Sequence, residues 1–463
     1  DDIILDMEGF DTAMVGQRAQ SRSVTTFTQI SDSYKKLSAS GFSPEFVGHQ
    51  QLTEESKLLL VVENGEEIAT ADQGSEVELV TERTPFYGEA GGQVGDTGKI
   101  TAPGLEVVVT GTIKDPTGLI IHKGKVISGR IKKGEMVTLQ VDRNQRQATQ
   151  RNHTATHILH AILRHVLGEH VKQAGSLVAP DRFRFDFSHF SQIEQETLDK
   201  IEDLVNERIR ENYPAQTVEM EAEDAFKSGA TALFEEKYGD RVRVVSLADF
   251  SKELCGGTHV KNTGDIGLFK IVGESSVASG VRRIEALTGE AALEYTQHTA
   301  RLLNETAHLI KDKPEAVPGR VNKIISEHKM LEKEVDGLKA KIASLSASGA
   351  VDEMKNVNGV KVLAKKVVID NPAALRDLAD QFKDKIQSGI IVLGSTAGAR
   401  ALLIAVVTKD LADRYHAGNI IKELAAIIGG SGGGRPDMAQ AGGTQPENLD
   451  RALEMTYEIV EKA

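Results

Sequence analysis

This sequence contains almost no cysteine. Cys255 is the single cysteine among 463 residues, which excludes an intramolecular disulfide and fits a reducing compartment. Long apolar runs are missing too, since none reaches the ~18 residues of a membrane-spanning helix, and the first residues show no signal segment. We therefore expect a cytoplasmic protein with no membrane partner. Because the chain starts at Asp1 rather than Met, we also expect it to be a piece of a longer polypeptide.

An excess of positive charge is missing as well. The formal net charge of −13 argues against a protein that coats nucleic acid through bulk electrostatics, and we expect no DNA partner. Local patches of basic side chains are compatible with this net charge. Residues 351–463 hold nearly equal numbers of acidic and basic side chains, so this region would repel a nucleic acid least.

Two short stretches have the spacing of metal ligands. His153 and His157 lie four residues apart in a segment with helical periodicity, so their imidazoles leave one helix face about a turn apart. Cys255 and His259 are separated by a Gly-Gly turn that lets the backbone bend around an ion. Three nitrogens and one sulfur suit Zn²⁺ better than a hard cation. The sequence therefore predicts a zinc site.

Each half of this pattern also has an ordinary explanation. Histidine pairs at this spacing occur on solvated helices, and the chain contains 13 histidines. His160 lies near the same helix face, so spacing alone does not decide which imidazoles bind. The pairing favours the metal site, because a cysteine that is merely buried has no need of a histidine four residues later.

Periodicity divides the chain into five segments, and its length allows about two to four domains. Short β-type runs between Gly, Pro and Asp turns, including Leu58–Val62 before Asn64-Gly65, predict an antiparallel barrel. Mixed helix and strand patterns follow, then a helical stretch and a further α/β unit. The predicted segments are a helical connection at 1–40 that contains Phe10–Arg22, a barrel at 41–145, an α+β domain at 146–290, a helical linker or coiled coil at 291–346, and a globular unit at 347–463.

Prolines interrupt the predicted linker. Lys313-Pro314 and Pro318-Gly319 are expected to separate a helix at Gly289–Lys311 from one at Arg320–Leu345. The second helix carries apolar residues in heptad alternation, flanked by Glu and Lys. This pattern predicts either an antiparallel hairpin within the chain or a homodimer contact. The heptad seam consists of His328, Leu331, Val335, Leu338, Ile342 and Leu345.

Four motifs can be compared with known families. They are H-x₃-H, C-G-G-T-H, the glycine-rich F-Y-G-E-A-G-G-Q-V-G-D-T-G of residues 86–98, and G-G-G-R-P-D-M-A-Q-A-G-G of residues 432–443. Together they closely resemble the C-terminal half of bacterial-type alanyl-tRNA synthetases, and the resemblance runs over essentially the whole chain. It implies an α+β multidomain fold with a small antiparallel β-barrel, an α+β zinc-containing editing domain, a helical hairpin linker and a C-terminal α/β globular domain that binds tRNA.

The same resemblance implies an activity and its residues. In this family, editing hydrolyses serine or glycine wrongly attached to tRNA(Ala). The family's zinc ligands match His153, His157, Cys255 and His259. Positions that line the editing pocket match Thr156, Gln173 and Ser176, although capping or turn hydrogen bonds explain such residues equally well. No class II aminoacylation core is recognisable ahead of residue 1, so we expect this chain neither to activate alanine nor to use ATP.

The glycine-rich stretch near the C-terminus is expected to form a loop over Gly429–Gly443 that contacts tRNA. Backbone at Gly433 and Gly434 can approach phosphate closely, and Arg435 can donate a fork of hydrogen bonds to it. The alternative is a loop that is packed for structure alone.

Two other functions compete with ester hydrolysis. In the first, zinc only ties the histidine helix to the Cys255 turn, and the protein is a non-catalytic RNA-binding module. The second is a nuclease, suggested by the likeness of the C-terminal unit to an appendage of DHH-family phosphoesterases. We find no D-H-H run or aspartate cluster to hold the ions that a nuclease needs.

Overall fold

The computed structural model describes residues 32–231, 240–348 and 353–463. The predicted helix at Phe10–Arg22 lies outside the described residues. The chain divides into two compact units, Asp1–Leu302 and Leu303–Ala463. No helix among the described residues combines the length and the apolar character that crossing a membrane requires.

The first unit begins with a short helix and a set of β-strands. The elements are α1 (Asp32–Ala39), β1 (Glu45–Phe46), β2 (Thr53–Glu63), β3 (Glu66–Glu67), β4 (Thr70–Asp72), β5 (Glu76–Thr81), β6 (Arg83–Thr84), β7 (Gly98–Ala102), β8 (Leu105–Lys114), β9 (Ile120–Ser128), β10 (Arg130–Lys132) and β11 (Met136–Val141). The six strands β2, β5, β9, β8, β7 and β11 are antiparallel neighbours in that order, and β11 pairs back onto β2. The sheet is therefore closed, which confirms the predicted barrel.

Alternation along these strands fills the barrel interior. Leu58, Leu79, Ile100 and Leu139 are buried in one apolar cluster, while intervening residues face outward. The turn after β2 has φ of 51° at Asn64 and 83° at Gly65. Both values suit the tight hairpin that the sequence predicted, because its turn needs two residues with positive φ.

An α+β domain follows the barrel in the same unit. Its elements are α2 (Arg143–Leu167), β12 (Gln173–Val178), β13 (Phe183–Ser188), α3 (Gln195–Arg210), β14 (Ala215–Glu221), α4 (Ala222–Lys227), β15 (Arg241–Leu247), β16 (Ser251–Leu254), β17 (Phe269–Ala278) and β18 (Val281–Thr288). One sheet has the order β12-β13-β18-β17 and another the order β14-β15-β16. Helix α2 begins at Arg143, near residue 145, where we predicted the end of the barrel segment.

Helix α2 has a capped start and one apolar face. The Asp142 side chain accepts hydrogen bonds from the backbone N–H groups of Asn144 and Gln145, at 2.9 and 3.1 Å, which satisfies two of the donors that a helix start leaves open. Further along, Ile158 and Leu159 are buried in the cluster that also contains Phe185 of β13. The helix is thus fixed both at its start and along its length.

A buried ion pair joins α2 to the barrel. The Arg146 guanidinium donates to the Asp96 carboxylate, with Nε 3.0 Å from both oxygens, and its other nitrogens donate to the carbonyls of Gly48 at 2.6 Å and Pro85 at 2.7 Å. Arg146 and Asp96 are both buried. Since Asp96 belongs to the glycine-rich loop between β6 and β7, this pair fixes that loop against the helix.

Two helices follow, and one prediction about them is wrong. Helix α5 (Gly289–Leu309) ends near Lys311, which has a φ of 55°, and α6 (Val317–Ser348) then runs without a break at Pro318-Gly319. Proline is tolerated there because it lies in the first turn of α6, where its missing N–H would have had no helical acceptor. The break therefore lies before Val317.

The predicted heptad seam of α6 is surface in the described structure. Leu331, Val335 and Leu338 are 59%, 48% and 51% exposed. Apolar side chains in a row on one helix can be covered by a second helix. A homodimer through the C-terminal region stays a prediction.

The second unit contains one six-stranded sheet with apolar clusters on both faces. Its elements after α6 are β19 (Lys355–Val357), β20 (Val360–Lys366), α7 (Pro372–Lys385), β21 (Ile390–Ala397), β22 (Arg400–Val407), α8 (Ala417–Ile427), β23 (Gly430–Gly434), β24 (Met438–Gly443) and α9 (Leu449–Lys462). The strand order is β19-β20-β21-β22-β24-β23, with β20 and β21 parallel. Helices α8 and α9 pack on one face and α7 on the other.

The glycine-rich stretch near the C-terminus is a β-hairpin and not the loop we expected. Strands β23 and β24 pair antiparallel at the sheet edge. A Cβ on Gly430 would lie 1.9 Å from the Gly442 carbonyl oxygen, and one on Gly432 would lie 2.4 Å from the Cβ of Ala441. Those glycines are therefore needed for close packing of the strands. Gly433 differs, because a Cβ there would meet nothing within 4 Å.

Replacing Arg146 tests the joint between barrel and helix. We expect Arg146→Met to lower the free energy of unfolding by about 3–5 kcal/mol, because the Asp96 carboxylate would remain buried without its partner. The matched control is Arg130→Met, whose partner Asp72 is exposed, and we expect a loss below about 1 kcal/mol. Urea denaturation measures both, and equal losses in the two variants would contradict a structural role for the buried pair.

Candidate metal centre

Two distant parts of the first unit bring four ligand-type side chains together. Helix α2 supplies His153 and His157, while Cys255 and His259 lie on the turn that follows β16. One ligand atom from each of the four residues lies within 4.8 Å of all the others. The four sequence positions that predicted a zinc site therefore share one small volume.

Each histidine of this group has its Nδ1 atom hydrogen-bonded away from the centre. His153 Nδ1 lies 2.7 Å from Gln93 Oε1, and His157 Nδ1 contacts Glu253 Oε2. His259 Nδ1 lies 3.2 Å from the hydroxyl oxygen of Thr154, which itself donates to the Gln150 carbonyl. An oxygen acceptor at Nδ1 keeps a proton there, so each ring in its neutral form has its lone pair on Nε2.

The Nε2 atoms face the sulfur. Cys255 Sγ lies 3.4 Å from Nε2 of His153 and 3.3 Å from Nε2 of His259. Nε2 of His157 is buried and has no hydrogen-bond partner among the described residues. A buried ring nitrogen without a partner is costly, and a cation bound between these atoms would satisfy it. Three imidazole nitrogens and a thiolate are donors that suit Zn²⁺, so the residues present fit that ion.

His160 lies outside this group of four. Its Nδ1 is 2.8 Å from Oε1 of Glu253, so one carboxylate accepts from both His157 and His160. The His160 ring also packs against Phe185, with 5.4 Å between ring centroids. The geometry thus separates His160 from the other three histidines, which spacing along the helix could not do.

The turn that carries Cys255 is hydrogen-bonded by Arg243 and lies very close to His153. Arg243 Nη1 donates to the carbonyls of Cys255 and Gly257, at 2.9 and 2.8 Å. A Cβ on Gly257 would lie 2.1 Å from Cε1 of His153, whereas one on Gly256 would meet nothing within 4 Å. The second glycine of the pair is therefore required for the close approach of turn and helix.

Local electrostatics favour a thiolate at the centre. Burial raises the pKa of Cys255, but the imidazoles of His153 and His259 more than offset this and lower it well below the ordinary value. Burial lowers the pKa of His157, whereas Glu253 and Cys255 raise it, with a net increase to about 10. A bound metal needs the thiolate and the neutral imidazole, so metal binding would release the proton of His157.

Three family models match parts of the chain. The model described as tRNA synthetases class II (A) matches residues 1–145, which include the barrel. The Threonyl and Alanyl tRNA synthetase second additional domain matches residues 242–285, and this range contains Cys255 and His259. The DHHA1 domain matches residues 342–462, which include the sheet of the second unit.

Full-length relatives match almost every residue of the chain. The alanine–tRNA ligase of Desulfosudis oleivorans is 55% identical over 459 residues, which are 99% of this chain and 52% of the relative. That of Pelotomaculum thermopropionicum is 46% identical over 464 residues, which are 99% of this chain and 53% of the relative. The chain belongs to the alanyl-tRNA synthetase family. It spans about half the length of the curated relatives it matches.

A solved structure of part of an alanyl-tRNA synthetase is also similar to part of this chain. It is the crystal structure of the C-Ala domain from Aquifex aeolicus alanyl-tRNA synthetase, with 28% sequence identity and a TM-score of 0.23. The match covers 23% of this chain and 97% of that chain.

The residues that family resemblance assigns to the editing pocket lie on two elements. Thr156 is buried on α2, and its hydroxyl donates to the Asn152 carbonyl at 2.9 Å, a bond of the ordinary helical type. Gln173 begins β12 and Ser176 lies in its middle. A Cβ on Gly92 of the barrel loop would lie 2.7 Å from the Ser176 carbonyl oxygen, so that loop borders the strand. The pocket role of all three residues stays a prediction.

Gln93, Glu253 and Thr154 were not recognised from the sequence. Gln93 lies in a glycine-rich stretch, and glycines alone predict turns there. Thr154 has no signal beyond its place in a segment with helical periodicity. Glu253 had a usable signal, because it precedes Cys255 by two residues and so shares its side of an extended chain. The hydrogen-bond partners of all three residues lie in distant segments of the chain, so no spacing rule predicts these hydrogen bonds.

The predicted RNA-binding residues lie on the hairpin of the second unit. Gly433 and Gly434 end β23, and Arg435 follows them in the turn. The Arg435 side chain is 77% exposed, with Nε 3.2 Å from Oδ1 of Asp437. Binding of RNA there stays a prediction.

Adding one methyl group to the Cys255 turn tests the centre. We expect Gly257→Ala to reduce bound zinc by at least about tenfold, because the new Cβ would displace His153 from its position. Gly256→Ala is the matched control and should bind zinc like the wild type, since its Cβ points into open space. Metal analysis of the purified variants gives the result. Full zinc content in Gly257→Ala would mean that these residues do not hold the ion.

Proposed function

We propose that this chain hydrolyses the aminoacyl ester of mischarged Ser-tRNA(Ala) and Gly-tRNA(Ala), and that it does so with a bound Zn²⁺. The observation that supports this most directly is the convergence of His153, His157, Cys255 and His259 within 4.8 Å, in a chain of the alanyl-tRNA synthetase family. The proposal makes the chain an editing hydrolase that needs no ATP, with tRNA(Ala) as its partner.

The chemistry follows from the donor set. A bound zinc ion can lower the pKa of a water molecule to about 7 or polarise a carbonyl, and either effect makes ester hydrolysis feasible at neutral pH. The four ligand residues would hold the ion, while Gln93, Glu253 and Thr154 keep the Nδ1 protons and so orient the rings. The pocket residues Thr156, Gln173 and Ser176 would bind the aminoacyl end.

Selectivity for serine would come from hydrogen bonding. A small apolar pocket rejects an added hydroxyl by only about 10²-fold. Accurate charging of tRNA(Ala) with alanine therefore needs a second site that hydrolyses the wrong products. A hydrolytic site with polar partners for the serine hydroxyl disfavours alanine, because those buried partners would be left without a hydrogen bond. Glycine carries no such group, and its removal is proposed from the family alone.

A zinc ion with four protein ligands is also the mark of a structural site, whereas hydrolytic zinc usually keeps one position open. A non-catalytic, zinc-stabilised RNA-binding module therefore remains the competing function. The two functions differ in whether the chain alone can deacylate tRNA, and this difference can be measured directly.

Deacylation of three charged tRNAs is the discriminating assay. We expect this chain to deacylate Ser-tRNA(Ala) and Gly-tRNA(Ala) without ATP while leaving Ala-tRNA(Ala) largely intact. His153→Ala should lose at least about tenfold in rate because the ion loses a ligand. His165→Ala is the control, since His165 lies on the same helix but is exposed, and it should retain the activity. Lack of activity in the wild type would instead favour the binding module.

We further propose that the second unit contributes affinity for tRNA through Arg435, because this exposed guanidinium lies beside Gly433, where the backbone is open to a phosphate. Arg435→Ala should weaken tRNA binding and reduce the slope of log K against log salt by about one. The control is Arg451→Ala, which removes an exposed arginine from α9. Binding assays over a range of salt concentrations measure both quantities. Identical slopes for the wild type and Arg435→Ala would rule out this phosphate contact.

A further inference from the structure

Gln93 is a buried polar residue of the barrel whose side chain contacts the neighbouring α+β domain. Its exposure is 0%, and it lies on the glycine-rich loop between β6 and β7. That loop adds itself to the edge of β12, because Val94 N–H donates to the Val178 carbonyl at 3.0 Å and Val178 N–H donates to the Gly92 carbonyl at 2.7 Å. The positive φ values of Gly91 and Gly92 (58° and 84°) provide the turn just before Gln93.

The hydrogen bonds of the Gln93 amide determine its orientation. The backbone N–H of Thr258 is an unambiguous donor and lies 2.9 Å from Oε1 of Gln93. The amide nitrogen Nε2 then donates to the Thr258 hydroxyl at 3.0 Å. With the oxygen assigned in this way, the contact of 2.7 Å between Oε1 and His153 Nδ1 must be an N–H donated by the imidazole.

One amide therefore connects both halves of the metal centre. It accepts from His153 on α2 and from Thr258, which lies between Cys255 and His259. It also keeps a proton on His153 Nδ1, so that Nε2 is the ring nitrogen that faces Cys255 Sγ, at 3.4 Å. Thr154 of α2 also contacts His259 on the turn, but the side chain that joins His153 to Thr258 comes from the barrel.

We propose that Gln93 is a positioning residue of the metal centre, and that the barrel is for this reason a working part of the centre and not only its neighbour. The inference rests on the zinc site of the proposed function and deepens it. The Arg146–Asp96 pair supports it from the other side, because Arg146 lies two helical turns before His153 and anchors the loop that carries Gln93.

Substitutions at Gln93 separate hydrogen bonding from simple packing. Gln93→Met keeps the length of the side chain and removes the acceptor, while Gln93→Glu keeps an acceptor oxygen for His153 and Thr258. We expect Gln93→Met to lower zinc affinity by about 10–100-fold and to change the visible spectrum of the Co²⁺-substituted protein. We expect Gln93→Glu to recover most of the affinity.

The control is Thr81→Val, which removes the hydrogen bond that the buried Thr81 donates from Oγ1 to the Arg83 carbonyl elsewhere in the barrel. It should destabilise the barrel without changing zinc affinity, as measured by competition with a chelator. Should Gln93→Met fail to fold, Gln93→Asn withdraws the same amide by one methylene and should show the same loss.

The outcomes distinguish this inference from the proposed function. Wild-type zinc affinity and Co²⁺ spectrum in Gln93→Met, or in Gln93→Asn where the first variant does not fold, would overturn the role of Gln93 while leaving the four ligands in place. Equal loss of affinity in Thr81→Val would overturn it as well, since general barrel stability would then explain the effect. A wild-type chain that binds no zinc would overturn both the site and this inference.

Discussion

The proposed metal centre depends on one constraint, which is that an imidazole offers a metal only one of its two nitrogens. In a buried site the other nitrogen carries a proton that must find an acceptor, because an unmatched donor is expensive in the interior. Here the three acceptors are an amide, a carboxylate and a hydroxyl, from Gln93, Glu253 and Thr154. Only Thr154 lies on the helix that carries two of the histidines.

Because these acceptors come from different segments, the centre depends on both the barrel and the α+β domain of the first unit. Gln93 arrives from the barrel, and Glu253 arrives from β16, so the rings acquire their orientation only when both segments are in place. Helix α2 contacts the barrel loop at two places. Arg146 near the helix start binds Asp96 of that loop, and His153 two turns later contacts its Gln93. Burying the Arg146–Asp96 pair costs desolvation, and the two further carbonyl acceptors of Arg146 offset part of that cost.

Much of this architecture follows from local patterns in the sequence. Short β-type runs and the Asn64-Gly65 turn predict barrel strands, because turns of this kind join neighbouring antiparallel strands. The four candidate ligands follow from two spacings, and the structure brings these four residues together. Their partners Gln93 and Glu253 did not follow, because a hydrogen bond between residues 60 or 96 positions apart leaves no periodic signal.

Two errors show where local rules mislead. Pro318 signalled a helix break, but in the first turn of α6 a proline costs no helical hydrogen bond. The glycines after Gly429 predict a loop, whereas in the structure Gly430 and Gly432 lack a side chain because a neighbouring strand lies against them. Glycine can mark either a turn or the close approach of another strand, and only the tertiary structure separates the two cases.

The central claim is that one sulfur and three imidazole nitrogens hold a zinc ion at the centre, and X-ray absorption at the zinc edge of the purified chain tests it most directly. For the wild type we predict a coordination shell with one sulfur and with imidazole nitrogens. In Cys255→Ala the zinc signal should disappear, or the shell should lose its sulfur. A shell made only of oxygen and nitrogen in the wild type, or an unchanged sulfur contribution in that variant, would contradict it.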